Sequence, residues 1–390
     1  MVMPRTLRAR TKIERVRTAL RHDEPDRIPL AEVYWTDFLE RWRRELALPH
    51  DADPKHYYDL DIDIATPNLD PHVRPFEILK DSAGETTVRT GFGAVVRKVH
   101  EIPMPHYMAF DTDSIDKVRS FRFDDPWDDR RYFARGDDHL SGVGDRIARD
   151  VDPWIDRVRA MSADFATFGG VIEANEFMTR SIGQANALLW MGLYPDDIGC
   201  FAERINAFMT EAIKAQIDAA GGLLDGILIA GDVAYTNGML FSPDYWRKHF
   251  KPGVKAMIEV AHDHGLPVLM HACGDMRAIL DDLVEIGLDA IHPLECKAGQ
   301  DVVDLRRRMG HRLAFVGNHD VEIWAHGDRQ QLKACTLRKL NAAKGGGCIF
   351  GADHSVPSNV SGETYDYLIG LVREYGNYPL QLGDADIPLA

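Results

Sequence analysis

Apolar residues along this chain follow two rhythms. Short, mostly apolar runs at 27–34, 63–66, 165–173, 226–232, 267–273, 290–295, 313–318 and 348–353 alternate with longer stretches of helical periodicity. Within 196–220, Phe201, Ile205, Phe208, Met209, Ile213 and Ile217 recur at three- and four-residue spacing, which predicts a helix. Helices are likewise predicted over 243–265 and 276–287, the second ending at Gly287 as helices often do. Strand–helix alternation predicts parallel strands joined by crossover helices. Eight such runs predict an α/β fold, a (β/α)8 TIM barrel, and 390 residues suit a barrel with insertions. The alternative is an open doubly wound sheet, but no glycine-rich phosphate loop follows the first run.

Two regions interrupt the alternation, besides an N-terminal extension ahead of the first strand. Residues 84–102 carry two β-branched runs around Gly91 and Gly93 and predict a β-hairpin. Residues 111–160 are rich in Asp, Arg and Trp and predict short helices and loops. Together they make an insertion over roughly 80–160, between the second and third strands, where it would cover one mouth of the barrel. No repeat or low-complexity linker divides the chain, so residues 1–390 are expected to form a single domain.

Composition narrows the function. A net charge of −15 argues against a general nucleic-acid binder, which needs a basic face. No apolar run approaches the roughly 18 residues that span a bilayer, and the basic start lacks the apolar core of a secretion signal. A cytoplasmic protein is expected. Five scattered cysteines, at 200, 273, 296, 335 and 348, argue for reduced thiols rather than a disulfide framework. Cys200 and Cys335 fall on predicted helices and read as packing residues.

Candidate chemistry gathers at the ends of the predicted strands, where barrels of this kind place their active sites. The third strand ends in Glu173, followed by Asn175 and Glu176; the fourth ends in Asp232. The fifth ends in His271 and Cys273, and the sixth carries His292, Glu295 and Cys296. The seventh ends in Asn318, His319 and Asp320, and the eighth in Asp353 and His354. One polar tip is ordinary helix capping, which suffices for Asp275 and Asp320; this many tips at one mouth point to a site.

Residues i and i+2 of a strand share a face, so His271 and Cys273 project side by side, a half-site for zinc. Cys348 offers a second sulfur but opens its strand, whereas His271 and Cys273 end theirs. Five residues of strand rise about 16–17 Å, which favours Asp353 and His354 by level. His354 and Cys348 therefore compete for the third place, and Glu173, Asp232 or Glu295 could add a carboxylate. A catalytic zinc needs only three protein ligands and an open position.

At this point the chain resembles the uroporphyrinogen decarboxylase superfamily, and within it the cobalamin-linked methyltransferase branch. The similarity lies in Glu14–Leu20 through Glu24-Pro25-Asp26-Arg27-Ile28-Pro29-Leu30, Gly231-Asp232, Ala290-Ile291-His292-Pro293-Leu294-Glu295, Phe315-Val316-Gly317-Asn318, and Gly345-Gly346-Gly347 followed by Asp353-His354-Ser355-Val356-Pro357. It implies a TIM barrel, and it suggests a homodimer. The branch's metal pattern, His-x-Cys with a later Cys, is met by His271, Cys273 and, 75 residues on, Cys348. In register with the branch's last strand, however, the second cysteine would fall nearer Asp353. The decarboxylase's own arginine-rich amino-terminal motif is replaced here by Leu30-Ala31-Glu32-Val33-Tyr34-Trp35.

The resemblance implies a zinc-dependent methyltransferase that moves a methyl group between a small ether or thiol and a corrinoid. Metal ligands would be His271, Cys273 and Cys348, with Glu173, Asp232 and His354 catalytic. Cobalamin would arrive on a separate corrinoid protein, since no Asp-x-His-x-x-Gly signature occurs. The alternative is a metal-independent, decarboxylase-like lyase using Asp232, His271 or His354 for acid–base work. A non-catalytic barrel accounts least well for the convergent tips.

Overall fold

The computed structural model describes residues 5–145, 147 and 151–389. Thirteen strands are present among them, and seven form one parallel sheet. In chain order the strands are β1 (Ile62–Ala65), β2 (Glu77–Asp81), β3 (Glu85–Arg89), β4 (Ala94–Val99), β5 (His106–Phe110), β6 (Ala166–Ile172) and β7 (Gly226–Ala230). They continue with β8 (Ala234–Tyr235), β9 (Gly238–Met239), β10 (Val268–Ala272), β11 (Ala290–Pro293), β12 (Ala314–Val316) and β13 (Cys348–Ile349). The parallel sheet runs β1-β6-β7-β10-β11-β12-β13, with helices between successive strands from β6 onward. It curls into a TIM-like arrangement, as the alternation of the sequence requires.

Seven of the eight predicted runs are strands, all but β1 shorter than the apolar run and β1 shifted by one residue. The exception is 27–34, which makes only isolated bridges: Leu30 to Phe350 and Tyr34 to Val356 in parallel sense, and Arg27 to Asn377 in antiparallel sense. This segment still joins the two ends of the sheet. On one side, Ala31 N donates to Phe350 O at 3.0 Å and Phe350 N to Pro29 O at 2.8 Å. On the other, Asp61 N donates to Leu30 O at 2.8 Å. Pro29 has no N–H to give, which limits how far a regular ladder can run there.

Asp61 is the clasp of this seam. Its carboxylate is fully buried and accepts from Leu30 N at 2.7 Å, from Arg27 Nη1 at 2.7 Å and from Arg15 Nη1 at 2.5 Å. Arg15 and Arg27 thus tie the N-terminal helix Leu7–Leu20 and the Leu30 segment to the start of β1. The same helix plugs the lower end of the sheet, its Ile13, Val16 and Leu20 packing with the inward residues Ile62, Phe168 and Ile349.

Side chains alternate strictly across the sheet. Leu269, Ala290, Ala314, Val316 and Ile349 belong to the inner apolar cluster, while Met270, Ile291, Phe315 and Cys348 pack outward with the helices. All seven residues of β6 are buried, as expected of a parallel strand covered on both faces. The predicted hairpin is present as β3 and β4, but β2 and β5 extend it to a four-stranded antiparallel sheet lying between β1 and β6 in the chain. The exposed strand β2 lacked a readable apolar alternation. Among the described residues no helix is long and apolar enough to cross a membrane.

Replacing Asp61 with Ala removes the buried carboxylate that Arg15 and Arg27 share, leaving Arg15 only the half-exposed Asp26 at 2.6 Å and Arg27 only Asp59 at 3.7 Å. Loss of one partner from a buried ion pair costs roughly 3–5 kcal/mol, so D61A is expected to lower the urea unfolding midpoint by that equivalent. A midpoint within error of wild type would mean the seam does not depend on this clasp.

Candidate active site

The upper ends of β7, β10 and β11 carry the site. Leu269 faces inward on β10, and alternation carries the same face to His271 and then Cys273. On β11 the inward positions are Ala290 and His292. The register pairs His271 with His292, so two imidazoles meet inside the sheet, Nδ1 to Nδ1 at 2.7 Å. One ring must donate in that contact. The tautomer with His271 Nδ1–H donating leaves His271 Nε2 as a bare lone pair, and that atom faces Cys273 Sγ at 3.6 Å.

Gly274 makes the turn after Cys273 feasible. Its φ is +83°, and a Cβ there would lie 2.5 Å from Tyr235 N. The tip is held from the neighbouring strand: Cys273 N donates to Asp232 Oδ1 at 2.8 Å. The same oxygen stands 3.9 Å from His271 Nε2. Ligand atoms of Asp232, His271 and Cys273 lie within 4.8 Å of one another, and so do those of Cys273, Glu295 and His354. Five donor-bearing side chains therefore surround one thiol, counting its own.

Burial sets the protonation of this group. Desolvation lowers the pKa of His271, and it holds His292 well below the usual imidazole range, with His271 beside it acting in the same sense. Neutral imidazole is the form that ligates a metal. Burial pushes the Cys273 thiol up, and Asp232 and Glu295 add to the shift. Without a cation the thiol stays protonated; the carboxylates that disfavour a thiolate also favour a divalent cation, which would reverse the balance.

The other predicted residues are placed as follows. Glu173 is fully buried and caps the helix Ala174–Ser181, accepting from Glu176 N at 2.8 Å. It lies under Gly231, where a Cβ would meet Glu173 Cγ at 2.0 Å, and its Oε2 has no hydrogen-bond partner. Burial raises its carboxyl to about 8. Asn175 donates to Asp232 O at 2.6 Å and so steadies the loop that presents Asp232. Asp353 is engaged by backbone, accepting from Cys296 N at 2.9 Å and Val321 N at 3.0 Å. His354, next to it, reaches the cluster.

Cys348 does not join the group. Its Sγ donates to Ala342 O at 3.2 Å on the helix side of the sheet, and burial raises its thiol to about 12. The reason is parity: Cys348 pairs with the outward residue Phe315, and only Ile349 faces in. Cys296 also faces away, donating to Asn318 O at 3.2 Å and receiving Lys339 Nζ at 2.9 Å. Asn318 is a bracket rather than a site residue, its amide donating to Gln300 O at 2.9 Å and accepting from Val302 N at 2.9 Å. His319 is buried against Phe350 with ring centroids 4.3 Å apart.

In the sequence His292 stands out only as a strand tip, with no spacing that assigns it a role. Aligning the inward positions of neighbouring apolar runs would have set it beside His271. Glu32 lies in no motif that marks it as chemistry. It is buried, accepts from Ala352 N at 3.0 Å and Val33 N at 3.1 Å, and is raised by desolvation to about 8.

A pH dependence follows from Glu173. Its folded pKa, about 8, lies above the ordinary carboxylate value of 4.5, so between these values the folded state binds the extra proton. Its contribution is fully present below about pH 4.5 and is lost as pH rises toward 8. Glu173→Gln cannot ionise. Its stability relative to wild type is expected to rise by on the order of a few kcal/mol between pH 5 and pH 8.5, as read from urea midpoints; parallel profiles would contradict this.

Residues 159–375, which are 217 of the 390, match the family described as Uroporphyrinogen decarboxylase (URO-D). The comparison with curated proteins gives no match. Among solved structures, a methyltransferase from Methanosarcina mazei is similar over 93% of this chain and 98% of its own, with 16% identity and a TM-score of 0.63. At that identity the likeness establishes a shared fold. A protein named as a vitamin-B12-independent methionine synthase from Listeria monocytogenes covers 57% of this chain and 70% of its own, at 12% identity and a TM-score of 0.38, too little to carry an argument. On the family match, over more than half its length, the chain belongs to the uroporphyrinogen decarboxylase (URO-D) family.

Proposed function

We propose that this chain is a zinc-dependent methyltransferase that moves a methyl group between a small ether or thiol and a corrinoid carried as co-substrate by another protein. One observation carries the reading: His271 Nε2 and Cys273 Sγ stand 3.6 Å apart, with Asp232 Oδ1 3.9 Å from the same nitrogen. Two ligands at about 2.0 and 2.3 Å from one tetrahedral zinc lie about 3.6 Å apart. Nitrogen, sulfur and carboxylate oxygen are the donors zinc prefers.

His271 and Cys273 would hold the ion, with the third place taken from Asp232, Glu295 or His354. His292 would accept the other ring proton of His271, the support a ligating histidine commonly receives. When bound, zinc supplies Lewis acidity to a substrate thiol or ether oxygen. For an ether, the electron pair of the broken carbon–oxygen bond would stay on oxygen, which would take a proton from solvent, and the methyl group would pass to the corrinoid co-substrate. Asp232 and His354, at the open rim, are the groups able to orient the substrate. Glu173 acts from beneath, through the Gly231-Asp232 turn. The fold likeness to a methyltransferase supports this reading as analogy only.

Elemental analysis of the purified protein tests it. About one zinc per chain is expected, lost in His271→Ala/Cys273→Ala and retained in Cys348→Ala. Methyl transfer from ethers or to thiols in the presence of cobalamin should follow the zinc content and stop on chelation. A folded protein that neither contains nor takes up zinc overturns the proposal, and turnover that survives chelation would favour the acid–base lyase.

A further inference from the structure

Below the His271–His292 pair, a cavity of about 450 Å³ runs from the inner face of the curled sheet into the gap between β1 and residues 31–34, within the roughly 300–1,000 Å³ usual for small-molecule sites. Its walls are Ile62, Ile64, Leu228, Leu269 and Val316, and one side is formed by residues 31–34. The polar residues lining it are few: Glu32, Asp53, Lys55, Asp63, His271, His292 and Tyr34, whose hydroxyl is already bonded to that of Tyr365 at 2.8 Å.

Each charged group there already has a partner. Lys55 Nζ is ion-paired with Asp63 Oδ1, which also accepts from Ile64 N at 2.8 Å. Asp53 caps its helix, accepting from Lys55 N at 3.1 Å, and its second oxygen meets His56 Nδ1 at 2.7 Å. Glu32 accepts two backbone N–H groups, and with a pKa near 8 it is mostly neutral at pH 7. Among the described residues lining the cavity, Lys55 is the sole lysine or arginine. An anion entering this space finds no free cation, and a cation finds no free carboxylate. A charge desolvated without a partner is strongly disfavoured, whereas an apolar molecule with one hydrogen-bonding oxygen loses little.

We propose that this cavity selects an uncharged methyl ether with an apolar group of one-ring size, its oxygen toward His271 and His292, and that the Lys55–Asp63 pair sets this selectivity by neutralising the cavity's one cation. The assignment as a methyl donor rests on the function proposed above; the charge selectivity does not.

The test uses three probes with one ring and one methoxy group: 4-methoxyphenol, 4-methoxybenzoate and 4-methoxyphenyltrimethylammonium. Affinities are measured by titration calorimetry on the protein as purified, with zinc content determined on the same sample. Wild type is expected to bind the phenol at least about tenfold more tightly than either charged probe, a margin of about 1.4 kcal/mol. Asp63→Asn, which frees Lys55, should move the benzoate-to-phenol affinity ratio at least about tenfold toward the anion. Lys55→Met, which frees Asp63, should move preference toward the cation and serves if the first variant does not fold. Wild-type preference for a charged probe, absence of binding by all three, or ratios unmoved in a folded variant overturns the proposal. Expected selectivity in a sample without zinc or methyl transfer would sink the functional reading and leave the selectivity standing. Zinc and methyl transfer with an anionic preference would do the reverse.

Discussion

A single buried carboxylate holds the architecture together. Asp61 sits where the ends of the parallel sheet approach each other, and it is bound at once by the Leu30 backbone, Arg27 and Arg15. Charge-assisted hydrogen bonds of this kind are roughly twice as strong as neutral ones, and their loss in a dry site leaves uncompensated charge. The proline-containing segment before β1 makes only isolated bridges on its β13 side, and on its β1 side its attachment centres on this one residue. With the seam closed, the N-terminal helix can plug the lower end and the strand tips converge on the upper one.

Convergence alone does not decide which side chains meet. That selection is made by the two-residue alternation of the strands together with their register. It places His271, Cys273 and His292 on the inner face and sends Cys348 to the helix side. A count along the chain treats Cys348 as equivalent to an inward cysteine; one residue of parity makes it a packing thiol.

The site and the cavity beneath it divide their electrostatics. Around Cys273, His271, whose pKa burial lowers, His354 and two carboxylates make a place suited to a cation. In the cavity beneath, the one lysine is paired with Asp63, Asp53 is taken up in capping its helix, and much of the wall is apolar. His271 belongs to both, one ring nitrogen toward the thiol and the other toward His292. A reacting group can thus be polarised at the top while the body of its molecule is chosen by apolar fit.

Much of this was legible in the amino-acid sequence. The alternation of apolar runs with 3.6-periodic segments specified a parallel, TIM-like sheet because each pattern buries one face only in that arrangement. The His-x-Cys spacing specified a shared face because strand side chains repeat every two residues. Membership of the family was readable from motifs such as Ala290–Glu295 and Asp353–Pro357. Tertiary structure decided what depends on distance between segments far apart in the chain. It chose His354 over Cys348 for the neighbourhood of Cys273, turned Asp353 into a backbone cap, set His292 against His271 and matched Lys55 with Asp63. Local sequence encodes periodicity and so the face a residue takes within its own strand; register and level between strands come from the packing of the whole sheet, and they alone bring donor atoms within bonding distance.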